Sequence, residues 1–381
     1  MMFCSFDLAE KIMNDYARET GILGNCKPRR YLWTDSFAVC NYLGLYRTSR
    51  NERYMQLALK LVDQVHFVLG RHREDDPRRG WISGLNEKEG KRHPTIGGLR
   101  IGKRLPERRP EEPFDESLEW KRDGQYYHYL TRWIHALNRV SQETKYPIYN
   151  LWATELAKTM HAAFVYEKNG QRRIYWKMSI DLTQPLVYSM GLHDPLDGFV
   201  VYNEIQASAP RNPEWSSLMR EIDDLLEICM EINWATSDPL GIGCLLWNSY
   251  FLAEMLMDKH LECMDLLLNI LNDSLLSLEL YLATDPLKIS ASNRLAFREL
   301  GLSIGFKAVK KLQKLVKNGS NLSNREEIHS LIRSLVHYSW IGDDIEKFWL
   351  KPENRENSLW KEHQDINMVM LATSLIPDGF L

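Results

Sequence analysis

The sequence predicts an all-α protein, because helical periodicity runs through almost the whole chain. Two kinds of helix produce it. One kind repeats apolar residues at spacings of three and four and keeps polar residues on the other face, so it has one buried side. The other kind is apolar nearly all round and is therefore buried on every side. The two kinds alternate along 381 residues, which makes six amphipathic–apolar pairs.

The amphipathic helix comes first in each pair, and these helices form the predicted outer layer. Near the N-terminus, for example, Phe6, Ala9, Ile12 and Met13 share one helical face. The predicted amphipathic helices are 3–18, 50–71, 146–166, 213–232, 259–282 and 324–340.

The buried helices form the predicted inner layer. The most apolar stretch, 240–257, is interrupted by Asn248 and Glu254, so we expect a core helix there and not a membrane span, which needs about 20 apolar residues. The predicted buried helices are 31–46, 124–141, 194–207, 239–257, 292–313 and 364–376.

A short repeat supports a periodic architecture. The tripeptide Asp-Pro-Leu occurs at Asp194, Asp238 and Asp285, and each copy is predicted to open a buried helix. Asp is a favoured N-cap residue and Pro is favoured at the first helical position. The repeat therefore predicts helix starts and a regular succession of helix pairs.

Two segments interrupt the helical pattern. Residues 164–177 predict a β-hairpin with Asn169-Gly170 as its turn. Residues 73–121 form a long insertion in which 91–110 carries seven basic residues against one acid, and 111–119 carries five acids and no base. The insertion is either a solvated, self-paired loop or a lid that closes on substrate and reaches an anionic group with Arg or Lys.

Six helix pairs with an Asp near each inner start resemble the (α/α)6 toroid of six-hairpin glycosidases, a fold that N-acylglucosamine 2-epimerases share. The stretches Trp33-Thr34-Asp35-Ser36-Phe37 and Asp123-Gly124-Gln125-Tyr126-Tyr127-His128 look like the inner-helix starts of such enzymes. The resemblance covers nearly the whole chain and is architectural. It implies a single toroid domain over residues 1–381, a lid-like insertion at about 73–121, and a carbohydrate-active enzyme.

Carboxylates near the inner-helix starts are the candidate catalytic groups. Each could simply cap its helix, or two of them could supply the acid and the base or nucleophile of glycoside hydrolysis. Asp35 and Asp123 are the preferred pair. Asp35 has apolar neighbours, which raise the pKa of a carboxyl group, and Asp123 precedes a cluster of rings and hydrogen-bonding groups. Asp194 and Asp197, three residues apart at one helix start, are the substitutes. His128 is a further catalytic candidate, because a histidine suits proton abstraction beside a sugar carbonyl.

The predicted substrate-binding residues are aromatic or charged side chains near these groups. They are Trp33, Trp81, Trp120, Tyr127, His193, Arg100 and Arg298.

Composition and missing motifs exclude several classes. A net charge of −3 gives no global case for nucleic-acid binding. The chain has no GxGxxG, P-loop, GxSxG, HExxH or EF-hand motif and no zinc-ligand spacing, so we expect no cofactor and no metal. The six cysteines include no CxxC pair, which favours buried thiols in a reducing compartment. The N-terminal residues do not resemble a signal peptide, so we expect a cytoplasmic protein that is not bound to membranes.

The leading interpretation is a glycoside hydrolase acting on a small oligosaccharide or glycoside, with an anionic substrate as one option. One alternative is a sugar epimerase or isomerase that uses His128 or His193. The other is a non-catalytic binding protein in which the Asp residues only cap helices. The sequence leaves the sugar, the stereochemical outcome and the oligomeric state open.

Overall fold

The protein is described from a computed structural model that covers residues 2–24, 26–210, 212, 215–257, 263–318 and 326–381, with side chains from residue 5 onward. Its helices are α1 (Met2–Glu19), α2 (Leu32–Ser49), α3 (Glu52–Leu69), α4 (Glu87–Arg92), α5 (Glu116–Glu119), α6 (Tyr127–Thr144), α7 (Ile148–Phe164), α8 (Asp194–Ser208), α9 (Met219–Met230), α10 (Pro239–Met257), α11 (Met264–Leu282), α12 (Ala296–Asn318), α13 (Glu326–His337), α14 (Trp340–Leu350), α15 (Pro352–Arg355), α16 (Ser358–Glu362) and α17 (Gln364–Leu375).

All twelve predicted long helices are present, and most of their ends fall within a few residues of the prediction. In α2, every residue from Leu32 to Leu45 is buried, as a helix apolar on all faces requires. Three predicted helices each contain a short segment that lies outside the described residues; these segments are 213–214, 259–262 and 324–325. The helix pattern of the sequence was therefore sufficient to locate the scaffold.

Two compact units divide the chain. In residues 17–229, α2 packs against α3 and α6, and α6 packs against α7 and α8. In the other unit, residues 1–16 and 230–381, α10 packs against α11 and α12, and α12 also contacts α13, α14 and α17. The prediction of a single domain over 1–381 stays a prediction.

Glycines bring two buried helices of the second unit close together. A Cβ atom on Gly243 of α10 would lie 2.3 Å from the carbonyl oxygen of Gly301 in α12, and one on Gly305 would lie 2.8 Å from the Gly243 Cα. Only residues without a side chain fit at this crossing. Among the described residues, one helix, α10, is long and apolar enough to cross a membrane by length and composition, and 83% of its apolar window is buried in the structure.

The predicted hairpin is present, with β2 (Val165–Lys168) antiparallel to β3 (Gln171–Ile174). Asn169 and Gly170 both have positive φ, 55° and 78°, as a two-residue turn of this kind requires. A second small sheet, in the order β1 (Gln125–Tyr126), β4 (Lys177–Met178), β5 (Pro185–Val187), was not predicted. Strands of two or three residues are too short to show an alternating pattern.

The insertion at 73–121 is fastened to the rest of its unit by ion pairs. Arg78 pairs with Asp181 at 2.7 Å, and Glu119 accepts a hydrogen bond from the buried Lys177 ammonium at 2.7 Å. Arg78 also pairs with Glu107 inside the insertion, at 2.7 Å. Within the insertion lie the short helices α4 and α5. These contacts favour the self-paired interpretation of its charges over a lid that opens and closes.

Two details of the sequence analysis were wrong. Asp285 does not open a buried helix, because it has φ 51°, precedes a three-residue 3₁₀ helix at Pro286–Lys288, and lies well before the start of α12 at Ala296. The prediction of buried thiols fails for Cys26, which is exposed, whereas Cys40, Cys229 and Cys263 are buried and Cys244 is intermediate.

Candidate active site

The first turns of three successive buried helices meet within residues 17–229. The Tyr31 and Tyr129 hydroxyl groups lie 2.5 Å apart and connect the start of α2 with α6. An ion pair between Arg132 and Asp197 connects α6 with the first turn of α8. Together these contacts gather His128, Asp194, Asp197 and Arg132 into one cluster.

Asp194 is the first residue of α8, and only 3% of it is exposed. Its Oδ2 accepts a hydrogen bond from the Gly191 amide at 3.2 Å. Burial, together with the negative charge of Asp197, raises the pKa of Asp194 to about 8, although Gly191 and Arg132 oppose this shift. The Asp194 side chain is therefore mainly a neutral carboxylic acid at pH 7.

Asp197 lies three residues further along the first turn of α8 and forms an ion pair with Arg132. The side chains of both partners are 4% exposed. A buried charge is costly unless an opposite charge accompanies it, so each of these groups depends on the other. The first turn of α8 thus presents two carboxyl groups whose surroundings differ, because Asp197 pairs with an arginine and burial raises the pKa of Asp194.

His128 lies on the first turn of α6, next to these carboxyls. Its Nδ1 is 3.8 Å from the Asp194 Oδ1, beyond hydrogen-bond distance, and 28% of the side chain is exposed. Burial lowers the pKa of His128 to about 3, although the charge of Asp197 acts in the opposite direction. The imidazole is therefore neutral at pH 7. His193, at the N-cap of α8, is partly buried beside it.

Aromatic rings form one wall of the cluster. The rings of Tyr126, His128 and Trp176 are stacked, with 5.7 Å between the first two centroids and 5.4 Å between Tyr126 and Trp176. Tyr129 meets His128 edge-on at 4.6 Å. Trp120 meets Trp176 edge-on at 4.8 Å and is 43% exposed, so its ring is accessible. Such rings suit the apolar face of a ring-shaped ligand.

A lysine from the insertion lies against this wall. The Lys103 ammonium is 5.6 Å from the Trp120 ring centroid and 5.7 Å from that of Tyr126, and it donates a hydrogen bond to the Trp120 carbonyl. Burial, with the nearby charge of Lys177, lowers the pKa of Lys103 to about 8. Lys103 therefore remains mainly charged at pH 7 and brings a cation to the cluster.

Asp123, one of the preferred catalytic residues, is fully buried and surrounded by donors. Its Oδ1 accepts from the Gly102 amide at 2.9 Å, and its Oδ2 accepts from Arg100 at 2.5 Å and Arg73 at 3.2 Å. These contacts fasten the insertion, and they also engage Arg100, a predicted substrate-binding residue. Asp123 does not cap α6 either, since the N-cap of that helix is Tyr126.

Asp35, the other preferred catalytic residue, is also fully buried. Its Oδ2 accepts from the Tyr31 amide at 3.0 Å, and its Oδ1 lies 3.3 Å from Arg30. It therefore stabilises the first turn of α2. Trp33 on the same turn is buried, with its ring 4.6 Å from Phe37 and 6.5 Å from Tyr129, so it supports the aromatic wall from behind.

Three predicted binding residues lie elsewhere. Tyr127 is fully buried, with its ring 5.6 Å from Phe164 of α7. Trp81 is 4% exposed and stacks on Arg71, away from the His128–Asp194 cluster. Arg298 belongs to the unit of residues 230–381, where it pairs with Asp238 at 2.8 Å.

Sequence reasoning missed two residues of the cluster. Arg132 is a charge on the otherwise apolar face of a buried helix, which was a usable signal. Trp176 lies at the end of the predicted hairpin segment, 164–177, but nothing in the sequence brings it next to Tyr126. Among the residues that the structure describes, no group of three or more His, Cys, Asp or Glu side chains is arranged to hold a metal ion.

Comparison with known proteins bears on the fold. No protein-family model and no curated protein sequence matches the chain. The structure of a GH76 α-mannanase of Bacteroides thetaiotaomicron is similar to this chain, with a TM-score of 0.56 and 8% sequence identity. The similarity covers 98% of this chain and 96% of the mannanase. A family 76 glycoside hydrolase from a bovine strain of that species has a TM-score of 0.54 and 10% identity, over 98% of this chain and 77% of its own.

An epimerase is similar as well. The structure of the cellobiose 2-epimerase of Spirochaeta thermophila has a TM-score of 0.50 and 11% sequence identity. The similarity covers 97% of this chain and 98% of the epimerase. These likenesses confirm the predicted fold class: the chain shares the (α/α)6 toroid fold of these enzymes. At such low identity they show the fold and not the reaction.

Proposed function

We propose that the protein is a carbohydrate-active enzyme and, within that class, a glycoside hydrolase in which Asp194 is the general acid. One observation carries the proposal: the buried Asp194 carboxyl, whose pKa is raised by burial to about 8, lies three residues from Asp197, which forms an ion pair with Arg132. Glycoside hydrolysis requires one protonated carboxyl for the leaving oxygen and one carboxylate to activate water or to attack the sugar. The fold shared with two family 76 enzymes supports the same class.

The assignment replaces the pair that sequence reasoning preferred. Asp35 and Asp123 have their oxygens engaged by arginines and backbone amides, whereas Asp194 accepts one hydrogen bond, from Gly191. Asp194 would donate its proton to the glycosidic oxygen, and Asp197 would act on the sugar carbon directly or through water. The rings of Trp120 and Trp176 would hold the sugar by its apolar face.

A second candidate is a sugar epimerase, and one observation favours it. The neutral imidazole of His128 lies 3.8 Å from the protonated Asp194 and is the most exposed side chain of the carboxylate cluster. A neutral base beside an acid suits removal of a proton next to a sugar carbonyl and its return to the other face. The fold of cellobiose 2-epimerase is compatible with this chemistry.

We also propose that the substrate is anionic. Lys103 is charged at pH 7 and lies against the exposed ring of Trp120, where a carboxylate or phosphate on the sugar would meet it. The partner that we infer is therefore a small acidic oligosaccharide or glycoside.

The test is a proton NMR time course in D₂O with neutral and acidic oligosaccharides and free sugars. We expect new reducing-end anomeric signals, whose first anomer shows retention or inversion. Loss of a C2 proton signal without bond cleavage would instead establish the epimerase. No change with any sugar would contradict both reactions and leave a binding protein.

Two variants connect the activity with Asp194. Asp194→Asn should abolish turnover. Asp285→Asn is the matched control, because it changes the same Asp-Pro-Leu tripeptide at an exposed position with no part in the cluster. If both variants lose turnover alike, or neither does, the assignment of Asp194 is wrong.

A further inference from the structure

A pocket lies beside α3, entirely within residues 17–229. It has a volume of about 480 Å³ and lies between α3, the start of α7 and the insertion. Small-molecule sites typically enclose about 300–1,000 Å³, so the pocket is large enough for a ligand. Its lining shares no residue with the His128–Asp194 cluster.

Aromatic rings line the pocket. They belong to Phe67, Trp81 and Trp152, with the His66 ring edge-on to Trp152 at 5.0 Å. Phe67 is 54% exposed, so its ring is accessible from solvent. The pocket therefore offers a ligand both an accessible ring and a buried aromatic wall.

Close packing holds the Trp81 ring in place. The Arg71 guanidinium lies 4.5 Å from the Trp81 ring centroid and 4.4 Å from that of Phe67. On the α4 side, a Cβ atom at Gly90 would lie 2.3 Å from the indole, so only glycine leaves room for it. The wall is thus formed before any ligand arrives.

Two buried polar atoms of the pocket residues have no partner within the described part of the chain. They are the Trp81 Nε1, which donates, and the Gln64 Oε1, which accepts. Trp81 is 4% exposed, so its N–H is shielded from water. Buried polar groups are almost always hydrogen-bonded, and an unpaired donor and an unpaired acceptor on residues of one pocket are exceptions that need an explanation.

We propose that this pocket is a second carbohydrate-binding site, separate from the catalytic cluster. A sugar hydroxyl both donates and accepts, so two hydroxyls would satisfy Trp81 and Gln64, while the C–H face of the ring would lie on Phe67. A purely apolar ligand would leave both polar atoms unpaired. Both charge signs occur at the exposed rim, in Lys60, Lys91 and Asp63, so the rim favours a neutral sugar over an ion.

The experiment is a titration of the full chain with cellobiose or mannobiose, followed by the indole N–H signals in ¹⁵N-tryptophan-labelled protein. It uses Asp194→Asn protein, so that turnover cannot consume the sugar and a failure of the proposed catalysis leaves this test intact. We expect the Trp81 and Trp152 signals to shift. The Trp81 signal is identified by its loss in Trp81→Phe.

Matched variants make the outcome specific. Phe67→Ala should weaken the affinity by about tenfold, which corresponds to about 1.4 kcal/mol. Phe114→Ala should leave it unchanged, because Phe114 is 56% exposed, also lies near an arginine, and is outside the pocket. Trp81→Phe keeps a ring but removes the donor, so the Trp152 signal should then respond only at higher sugar concentration.

Three results would overturn the proposal. One is that neither indole signal moves with either disaccharide. Another is equal affinity of the Phe67→Ala and Phe114→Ala proteins. The third is that adenosine, a flat ligand with its own donors and acceptors, shifts these signals while the sugars do not.

Discussion

Replacement of Asp194 with asparagine should stabilise the protein at pH 7 while it removes activity. In the folded chain the pKa of Asp194 is raised to about 8 by burial and by Asp197. An unfolded aspartate has a pKa of about 3.9. Folding at pH 7 must therefore add a proton to this group, and asparagine, which is neutral and similar in shape, avoids that cost.

The magnitude follows from the interval between the unfolded pKa and pH 7. That interval is about three pH units, and each is worth about 1.4 kcal/mol, so the protonation costs about 4 kcal/mol. The pH dependence is that of an acid whose pKa is higher in the folded state than in the unfolded state. The folded state binds the extra proton, so the free energy of unfolding of the wild type falls as the pH rises from about 4 to about 8. The free energy of unfolding of the Asp194→Asn variant should lack this pH dependence.

The assay is urea unfolding of both proteins at pH 4.5, 6 and 8. The difference in free energy of unfolding should be small at pH 4.5 and should grow in favour of the variant at each higher pH. Asp285→Asn serves as control and should follow the wild type, since Asp285 is exposed. A variant that is less stable than the wild type by the same amount at every pH would refute the reasoning, because Asp194 would then be an ordinary ionised contact.

The other predictions concern neighbouring groups. Asp123→Asn should destabilise the chain by about 3–5 kcal/mol, because it leaves the buried Arg100 without its charge partner, and limited proteolysis should then cut the insertion at 103–121. Lys103→Gln should raise KM for an acidic sugar but not for its neutral analogue, and wild-type discrimination between the two should fade above pH 8 as Lys103 loses its proton. His128→Gln should reduce hydrolysis modestly but abolish epimerisation, so comparison of the two rates separates the candidate reactions.

The helices could be predicted because their signal is local. Apolar spacing within α1 or α3 is a property of neighbouring residues, and it located all twelve long helices. The hairpin turn was equally local, because Asn169 and Gly170 adopt positive φ wherever they join two short strands. The sheet that contains β1 was invisible, since its strands are short and distant in the chain.

The site could be predicted only in part, because the partner of a carboxylate is not a local property. Arg100 and Asp123 both looked functional, yet they neutralise each other across 23 positions of sequence. Asp194 and Asp197 were named only as substitutes, although the pairing of Asp197 with Arg132 is what distinguishes their environments. The same tripeptide starts α8 at Asp194 but precedes an exposed turn at Asp285, because tertiary packing decides which copy is buried.

The most direct measurement is the titration of Asp194 itself. Carbon NMR of protein labelled at the aspartate carboxyl carbons, with the Asp194 signal identified by its loss in Asp194→Asn, would follow its protonation from pH 4 to pH 9. We predict a midpoint near pH 8, as expected for a buried acid beside a charged carboxylate. A midpoint near the ordinary aspartate value of about 4 would show that Asp194 is ionised at pH 7 and would contradict its role as the acid.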